Sequence, residues 1–182
     1  FGSGAFSDFN GLDTRSEAER RADYLHRVDL VKLGLAGNLK DYVMTISDGS
    51  VRRGIDLIHN GAPAAFASHP QENVNYVDAH DNETLYDLLA YKLPQGMPVG
   101  MNTVCLATVA LAQSPAFWSA GTELLRSKSL DRDSYNSGDW FNAIDFTGQS
   151  NGFGRGLPPA SRNEGSWAIQ GPLLQDDWLR PS

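Results

Sequence analysis

The spacing of apolar residues changes along this chain, and each change marks an element. Ala18, Ala22, Leu25, Val28, Val31 and Leu35 recur at steps of three and four, which predicts an amphipathic helix from Ser16 to about Leu35. Asp13, Thr14 or Ser16 stands where its N-cap belongs, and Gly37 where a C-cap glycine belongs. Residues 38–72 read as polar loop with scattered Gly and Pro and one short helix near Val51–His59. Val74-Asn75-Tyr76-Val77-Asp78-Ala79 is β-rich and bounded by polar residues, as a strand is. A helix is predicted across Thr84–Tyr91. Met101–Gln113 is apolar nearly all round and predicts a buried helix. Ala116-Phe117-Trp118-Ser119-Ala120 reads as a second short buried strand, ended by Gly121, and beyond Glu123 the chain is rich in loop.

Strand, helix, strand is the β–α–β rhythm of a parallel sheet, which makes this an α/β chain. Val74–Ala79 and Ala116–Ala120 are expected to be parallel neighbours with Met101–Gln113 packed outside them. A closed barrel is the most economical frame, but a complete (β/α)₈ barrel needs roughly 250 residues. The 182 residues are enough for one domain and for only part of such a barrel. The start at Phe1, without an initiator methionine or signal peptide, and the finish at Trp178-Leu179-Arg180-Pro181-Ser182 predict a segment of something longer.

Composition narrows the partners. Hydrophobic residues make up 41% and charged residues 20%, a globular balance. Fifteen basic and twenty-two acidic residues leave a net charge of −7, which disfavours a phosphate backbone as partner and suits a neutral substrate. No stretch approaches a membrane span. The single Cys105 excludes an internal disulfide and a cysteine-rich metal site.

Two polar clusters are candidates for chemistry. His80-Asp81-Asn82-Glu83 lies immediately beyond the predicted strand, and in barrels of this kind C-terminal strand ends point into the active site. The competing reading is a helix cap, with Asp81 or Asn82 capping the segment from Thr84; spacing leaves both open. A metal reading is the weaker one, since no second histidine pairs with His80 at helical spacing. The other cluster runs from Arg126 to Trp140. Asp131 and Asp133 suggest a calcium loop, but Tyr135 replaces the third ligand and Gly138 is two places late. The competing reading is a solvated charged loop. Tyr135, Trp140 and Phe141 interleaved with its charges favour a carbohydrate cleft, because aromatic faces stack on sugars while carboxylates, amides and arginines bond the hydroxyls. His26, His59 and His69 have no partner motif.

At these residues the chain resembles a known family. Asn75 through Leu85, NYVDAHDNETL, is similar to the fourth sequence region of the α-amylase superfamily in its pullulanase and limit dextrinase form. Leu124 through Asn142, LLRSKSLDRDSYNSGDWFN, resembles the loop after the eighth barrel strand of that debranching group. Gly34–Tyr42 and Gly154–Pro159 fit the same group, so the resemblance covers roughly residues 2–167. It implies the C-terminal portion of a TIM barrel, incomplete at both ends, with strand seven near 74–79, strand eight near 116–120 and a long substrate-side loop over 121–167.

The resemblance also implies an activity: retaining hydrolysis of α-1,6 branch linkages in pullulan, amylopectin or limit dextrins. Carried over by position, Asp81 is the third catalytic carboxylate and His80 donates to a hydroxyl of the same sugar. Arg132 helps fix that sugar, and Asp133, Tyr135 and Asn136 shape the loop or touch the α-glucan. The nucleophile and general acid belong ahead of Phe1, so the segment alone is expected to be inactive. No cofactor or catalytic metal is implied, and a structural calcium stays open in the full-length enzyme. Relatives with these motifs occur in plastids and as exported bacterial enzymes, which leaves localisation open.

Some positions depart from the family pattern. Gln113 through Gly121 usually reads closer to QGxPFFHAG, so Ser119 replaces a histidine and the proline sits one place early. Gly152 replaces a common asparagine, and Phe9 a frequent arginine. Two other readings remain: a non-catalytic carbohydrate-binding relic, and a superfamily enzyme of other linkage preference.

Overall fold

The computed structural model describes residues 11–93 and 97–180. The glycine-rich opening and Phe9 lie outside the described residues. The described residues form two compact units, one of 11–76 with 107–117, the other of 77–106 with 118–180.

In the first of these, α1 spans Glu17–Leu35. Ser16 caps it within a capping box: its Oγ accepts from the Glu19 amide while the Glu19 carboxylate accepts from the Ser16 amide at 2.8 Å. At the other end Gly37 N–H reaches Gly34 O at 2.9 Å and Asn38 N–H reaches Leu33 O at 3.0 Å, a Schellman motif with Gly37 at φ 91°. The buried stripe of α1 differs from the predicted one. Asp29 and Leu33 face inward while Val31 is exposed. The shift has a polar cause: Asp29 accepts the Ser47 amide at 3.0 Å and its hydroxyl at 2.7 Å, which turns that face toward the following loop.

No α-helix forms near Val51–His59. Strand β1 (Val43–Thr45) pairs antiparallel with β2 (Val51–Arg53), a 3₁₀ turn follows over Gly54–Asp56, and β3 (Ile58–His59) pairs with β4 (Ala62–Pro63). Asn60 at φ 50° and Gly61 at φ 81° make the two-residue turn between β3 and β4, a role for which Asn-Gly is the preferred pair. Leu33, Met44, Leu57 and Ala65 form the core of this unit. His26 Nε2 lies 3.3 Å from His59 Nδ1, a pairing that neither residue's neighbours in sequence reveal.

The two expected strands meet parallel, but only at the bridge Asn75↔Ala116. Two hydrogen bonds make it: Asn75 N–H to Pro115 O at 3.0 Å and Phe117 N–H to Asn75 O at 2.8 Å. The other described sheets are the two antiparallel pairs and a second bridge, Leu39↔Ala67. Phe117 and Trp118 are about half exposed rather than buried. Helix α3 runs Pro98–Ala110 instead of 101–113 and is not buried all round. Asn102, Leu106 and Val109 point inward, whereas Val99 and Val104 are exposed. The chain is a small α/β assembly.

In the other unit α2 (Leu85–Lys92) is capped by Thr84, whose Oγ1 accepts from the Asp87 amide at 3.2 Å. Tyr86, Ala90 and Tyr91 of α2 pack with Leu130, Phe153, Leu179 and Leu174, the last from helix α6 (Trp167–Leu174), which follows the short helices α4 (Asp139–Asn142) and α5 (Ala160–Asn163). Asp87 faces this interior and is fully buried. Its carboxylate accepts from Ser127 Oγ and from the Lys128 amide, the latter at 2.8 Å. Burial pushes its pKa up from an ordinary 3.8 to about 6, against the opposing pull of Ser127 and of the neighbouring amides.

Gly37→Ala should destabilise the protein by about 1–3 kcal/mol in urea titration. A Cβ there would sit 2.9 Å from Pro70 at a left-handed φ. Gly34→Ala, with open space around it inside α1, should be neutral or stabilising by up to about 1 kcal/mol. Equal effects would contradict this account of the helix end. A second outcome follows from Asp87. Its folded pKa lies above its ordinary one, so the native state binds the extra proton, and this group's contribution to stability falls as pH rises from about 4 to about 6. The stability of the wild type minus that of Asp87→Asn should therefore shrink by about 1–3 kcal/mol between pH 4 and pH 7. A difference that is flat with pH would refute the shift.

Candidate active site

The turn that carries Asp81 is built by side chains on both sides of it. Just before it, Asp78 is buried and accepts from the Leu85 amide at 3.0 Å and from Thr122 Oγ1 at 2.8 Å. Just after it, Thr84 caps α2. The cap reading of Asp81 and Asn82 is thereby overturned, because the hydroxyl one residue ahead of the helix already takes the orphan amide. Asp81 is left with an exposed carboxylate, 3.5 Å from His80 Nε2.

The later loop is not a solvated charged run. Residues 127–131 are buried, as is Ser134. Asp131 organises the part beyond them. Its oxygens accept from the Asp133 amide at 3.0 Å, Ser137 Oγ at 2.6 Å and Asn163 Nδ2 at 3.0 Å. A carboxylate so occupied by donors of its own neighbourhood is a scaffold, not a cation ligand. Among the described residues no group of three or more His, Cys, Asp or Glu converges on a metal position. Asn142 Nδ2 donates to Ser134 O at 2.7 Å, and Asn142 O accepts from Arg126 at 2.6 Å, which closes the loop on itself.

These two segments face one cleft of about 390 Å³. It is lined by His80, Asp81, Arg126, Lys128, Arg132, Asp133, Ser134, Tyr135 and Asn142. Five of the residues singled out in the sequence are brought together: His80, Asp81, Arg132, Asp133 and Tyr135. Asn136 does not line the cleft. Tyr135 is 76% exposed, so its ring is free to cover a ligand face. Asp133 lies 3.3 Å from Arg162. Arg132 donates to Asn82 Oδ1 at 3.1 Å. Lys128 donates to Asn82 O at 2.7 Å and to His80 O at 3.5 Å.

Sequence reasoning passed over the buried Asp78 and Asp87, and it gave no separate role to the buried Lys128 or the half-buried Arg126 within the second cluster. Burial pushes both the Arg126 guanidinium and the Lys128 ammonium below their ordinary pKa ranges. Arg126 and Lys128 stand inside the quoted LLRSKSLDRDSYNSGDWFN motif, flanked by leucine and serine, which was a readable sign of burial. Asp87 carried no sign beyond its place on the inner face of a helix. The cleft joins three cations and a histidine with two carboxylates, Asp81 and Asp133. The exposed members of that set, His80, Asp81 and Arg132, can hydrogen-bond the hydroxyls of a neutral polyol and place a carboxylate beside a developing positive charge.

The chain is similar to known proteins of one group. Residues 148–182 match the C-terminal family model of α-1,6-glucosidases of the pullulanase type. Pullulanase 1, chloroplastic, of Arabidopsis thaliana is 45% identical over 177 residues, 94% of this chain and 18% of that protein. The pullulanase of Klebsiella aerogenes is 47% identical over 172 residues, covering 92% of this chain and 15% of its own. Among solved structures, apo pullulanase from Klebsiella pneumoniae superposes with a TM-score of 0.87 at 45% identity, over 96% of this chain and 19% of that one. The maltotriose complex of PulA from the same organism gives 0.86 at 43% identity, with the same coverage. The chain thus spans less than a fifth of each of these proteins. Nearly its whole length aligns with them in sequence and in fold, and the chain belongs to the pullulanase family.

Proposed function

We propose that this chain is the part of a debranching α-1,6-glucosidase that carries one of the carboxylates of the reaction, Asp81. The observation that carries the reading is the state of that side chain. It caps no helix, is exposed beside His80 and faces a cleft lined by arginines and Tyr135. An exposed carboxylate held on a braced turn is suited to gripping the ring hydroxyls of a flattened sugar. His80 bonds a hydroxyl of that sugar, Tyr135 covers an apolar sugar face, and Arg132 and Asp133 border the subsite. Asn136 stays outside it. The substrate is an α-glucan, which accords with the maltotriose bound in a solved relative.

The same reading covers the fold. Residues 74–79 and 116–120 are strands seven and eight of a (β/α)₈ barrel, and 121–167 is its substrate-side loop. The bridge Asn75↔Ala116 is parallel, as that order requires, and the exposed Phe117, Trp118, Val99 and Val104 are the faces that the rest of a barrel would cover. The nucleophile and the general acid belong to the remainder of the protein. They would stand about 5–5.5 Å apart in a retaining enzyme.

In the full-length protein, Asp81→Asn should keep the melting temperature within a few degrees yet lower kcat on pullulan by about 10²–10³-fold, with a smaller change in KM. Positive charge develops at the anomeric carbon only in the transition state, and the amide keeps the shape of the side chain while losing its charge. Residues 1–182 alone should release no reducing ends from pullulan. Near-normal kcat in Asp81→Asn would end the assignment. A full-length protein that binds pullulan without cleaving it would point instead to a carbohydrate-binding relic.

A further inference from the structure

Asn82, next to Asp81, sits at φ 62°, in the left-handed region that asparagine adopts more readily than other side chains. Two cations bind the turn it makes. Arg132 grips the Asn82 side chain at 3.1 Å, and Lys128 donates to the Asn82 carbonyl at 2.7 Å. The same ammonium reaches the His80 carbonyl at 3.5 Å. The two carbonyls one residue before and one residue after Asp81 therefore converge on a single nitrogen.

Lys128 is only 3% exposed, and an ammonium taken out of water is costly unless acceptors surround it. The carbonyls of the turn are those acceptors. Its backbone is fixed independently, since the Lys128 amide donates to the buried Asp87 carboxylate at 2.8 Å. One end of the lysine is anchored in the core of the unit and the other end gathers the turn. Arg132 differs: its side chain is exposed, and its grip on Asn82 is through a side-chain oxygen rather than the backbone.

We infer that Lys128 is a positioning residue, which draws the His80–Asn82 turn around its ammonium and so sets where the Asp81 carboxylate stands in the cleft. This rests on the reading of Asp81 as a catalytic carboxylate. Lys128 acts through the backbone on either side of Asp81 and not on the substrate. Its effect falls on the placement of a group that matters in the transition state, where an error of about 1 Å costs on the order of 10²-fold.

The test is a double-mutant cycle on pullulan with the full-length enzyme. Lys128→Met keeps the length of the stem and removes the charge and the donors. It should lower kcat about 10–100-fold and move KM less than about 3-fold. Lys128→Arg keeps charge and donors, and should recover most of that loss. In the Asp81→Asn background, adding Lys128→Met should cost less than about 3-fold, because the group it places has already lost its function. A residue that merely stabilises the loop would cost as much in that background as in the wild type. That additive outcome, or a Lys128→Met enzyme with wild-type kcat, overturns the proposal. If Lys128→Met does not fold, Lys128→Gln, which keeps a donor and loses the charge, takes its place in the cycle under the same two criteria. If Asp81→Asn alone leaves kcat near normal, it is the catalytic assignment of Asp81 that fails.

Discussion

A chain segment with neither helix nor ladder must still find partners for its buried amides. In this protein the Lys128 and Asp133 amides find them in carboxylates, while those of Arg126, Ser127, Asp131 and Ser137 find backbone carbonyls. Asp87 takes the Lys128 amide together with the Ser127 hydroxyl, and Asp131 takes the Asp133 amide with Ser137 and Asn163. Asp78 does the same for the Leu85 amide and Thr122. Each carboxylate joins chain segments that no regular element joins. Remove one, and donors inside the unit lose their acceptors, which costs about 1–3 kcal/mol per unsatisfied group. The backbone of this loop is unusual for a further reason. Leu125, Ser129 and Leu130 all have positive φ. Such positions persist where fixed acceptors hold them: the Leu125 amide bonds Thr122 O at 3.2 Å, and the Ser129 amide bonds Ser127 Oγ at 2.9 Å, a hydroxyl that is itself tied to Asp87.

The cleft inherits its shape from this arrangement. Its exposed members sit on turns whose buried neighbours are immobilised: Asp81 between Asp78 and Thr84, Tyr135 and Arg132 around Asp131. A site of this kind places polar groups in water at little cost while locking the backbone beneath them, which is the preorganisation that electrostatic stabilisation of a transition state needs. The raised pKa of Asp87 is part of the cost. A buried carboxylate with a folded pKa near 6 is a standing destabilisation at neutral pH, and the fold retains it because the alternative is an unbonded Lys128 amide.

Much of this was legible in the sequence, and what was not has physical reasons. Helices α1 and α2 were readable because Ser16, Gly37 and Thr84 are local signals, each decided by one hydrogen-bonding side chain or one backbone conformation. The inner face of α1 was misread because a buried Asp29 bonded to Ser47 looks, in sequence, like an outward-facing charge. The stretch around Val51–His59 reads as a short helix although Asn60-Gly61 is a strong hairpin signal; apolar spacing over a few residues does not separate the two. Helix α3 and residues 116–120 read as buried because they are apolar, yet Val104, Phe117 and Trp118 are exposed among the described residues. Hydrophobicity marks a face that needs a partner, not where that partner lies. At the site, His80, Asp81, Arg132, Asp133 and Tyr135 were legible through the resemblance of two motifs, whereas the support from Asp78 and Asp87 was not.

That asymmetry explains why the LLRSKSLDRDSYNSGDWFN stretch is long. A cleft that contacts a sugar through two or three side chains does not need nineteen specified residues. Within the stretch Ser127, Lys128, Ser129, Leu130, Asp131 and Ser134 are buried and bonded, whereas Arg132, Tyr135 and Asn136 are exposed. The buried set leaves little room for substitution. Ser127 Oγ both donates to Asp87 and accepts from the Ser129 amide at 2.9 Å, and Ser129 Oγ donates to Gly156 O at 2.6 Å. An alanine at Ser127 leaves two partners unsatisfied, and a larger residue does not fit at positions that are fully enclosed. The exposed positions are under no such packing constraint: Tyr135 and Asn136 are open to a ligand, and Arg132 is tied only to Asn82 Oδ1. A motif of this form therefore combines two kinds of constraint on one run of residues, and the greater part of its length is the scaffold that keeps a few exposed groups in place.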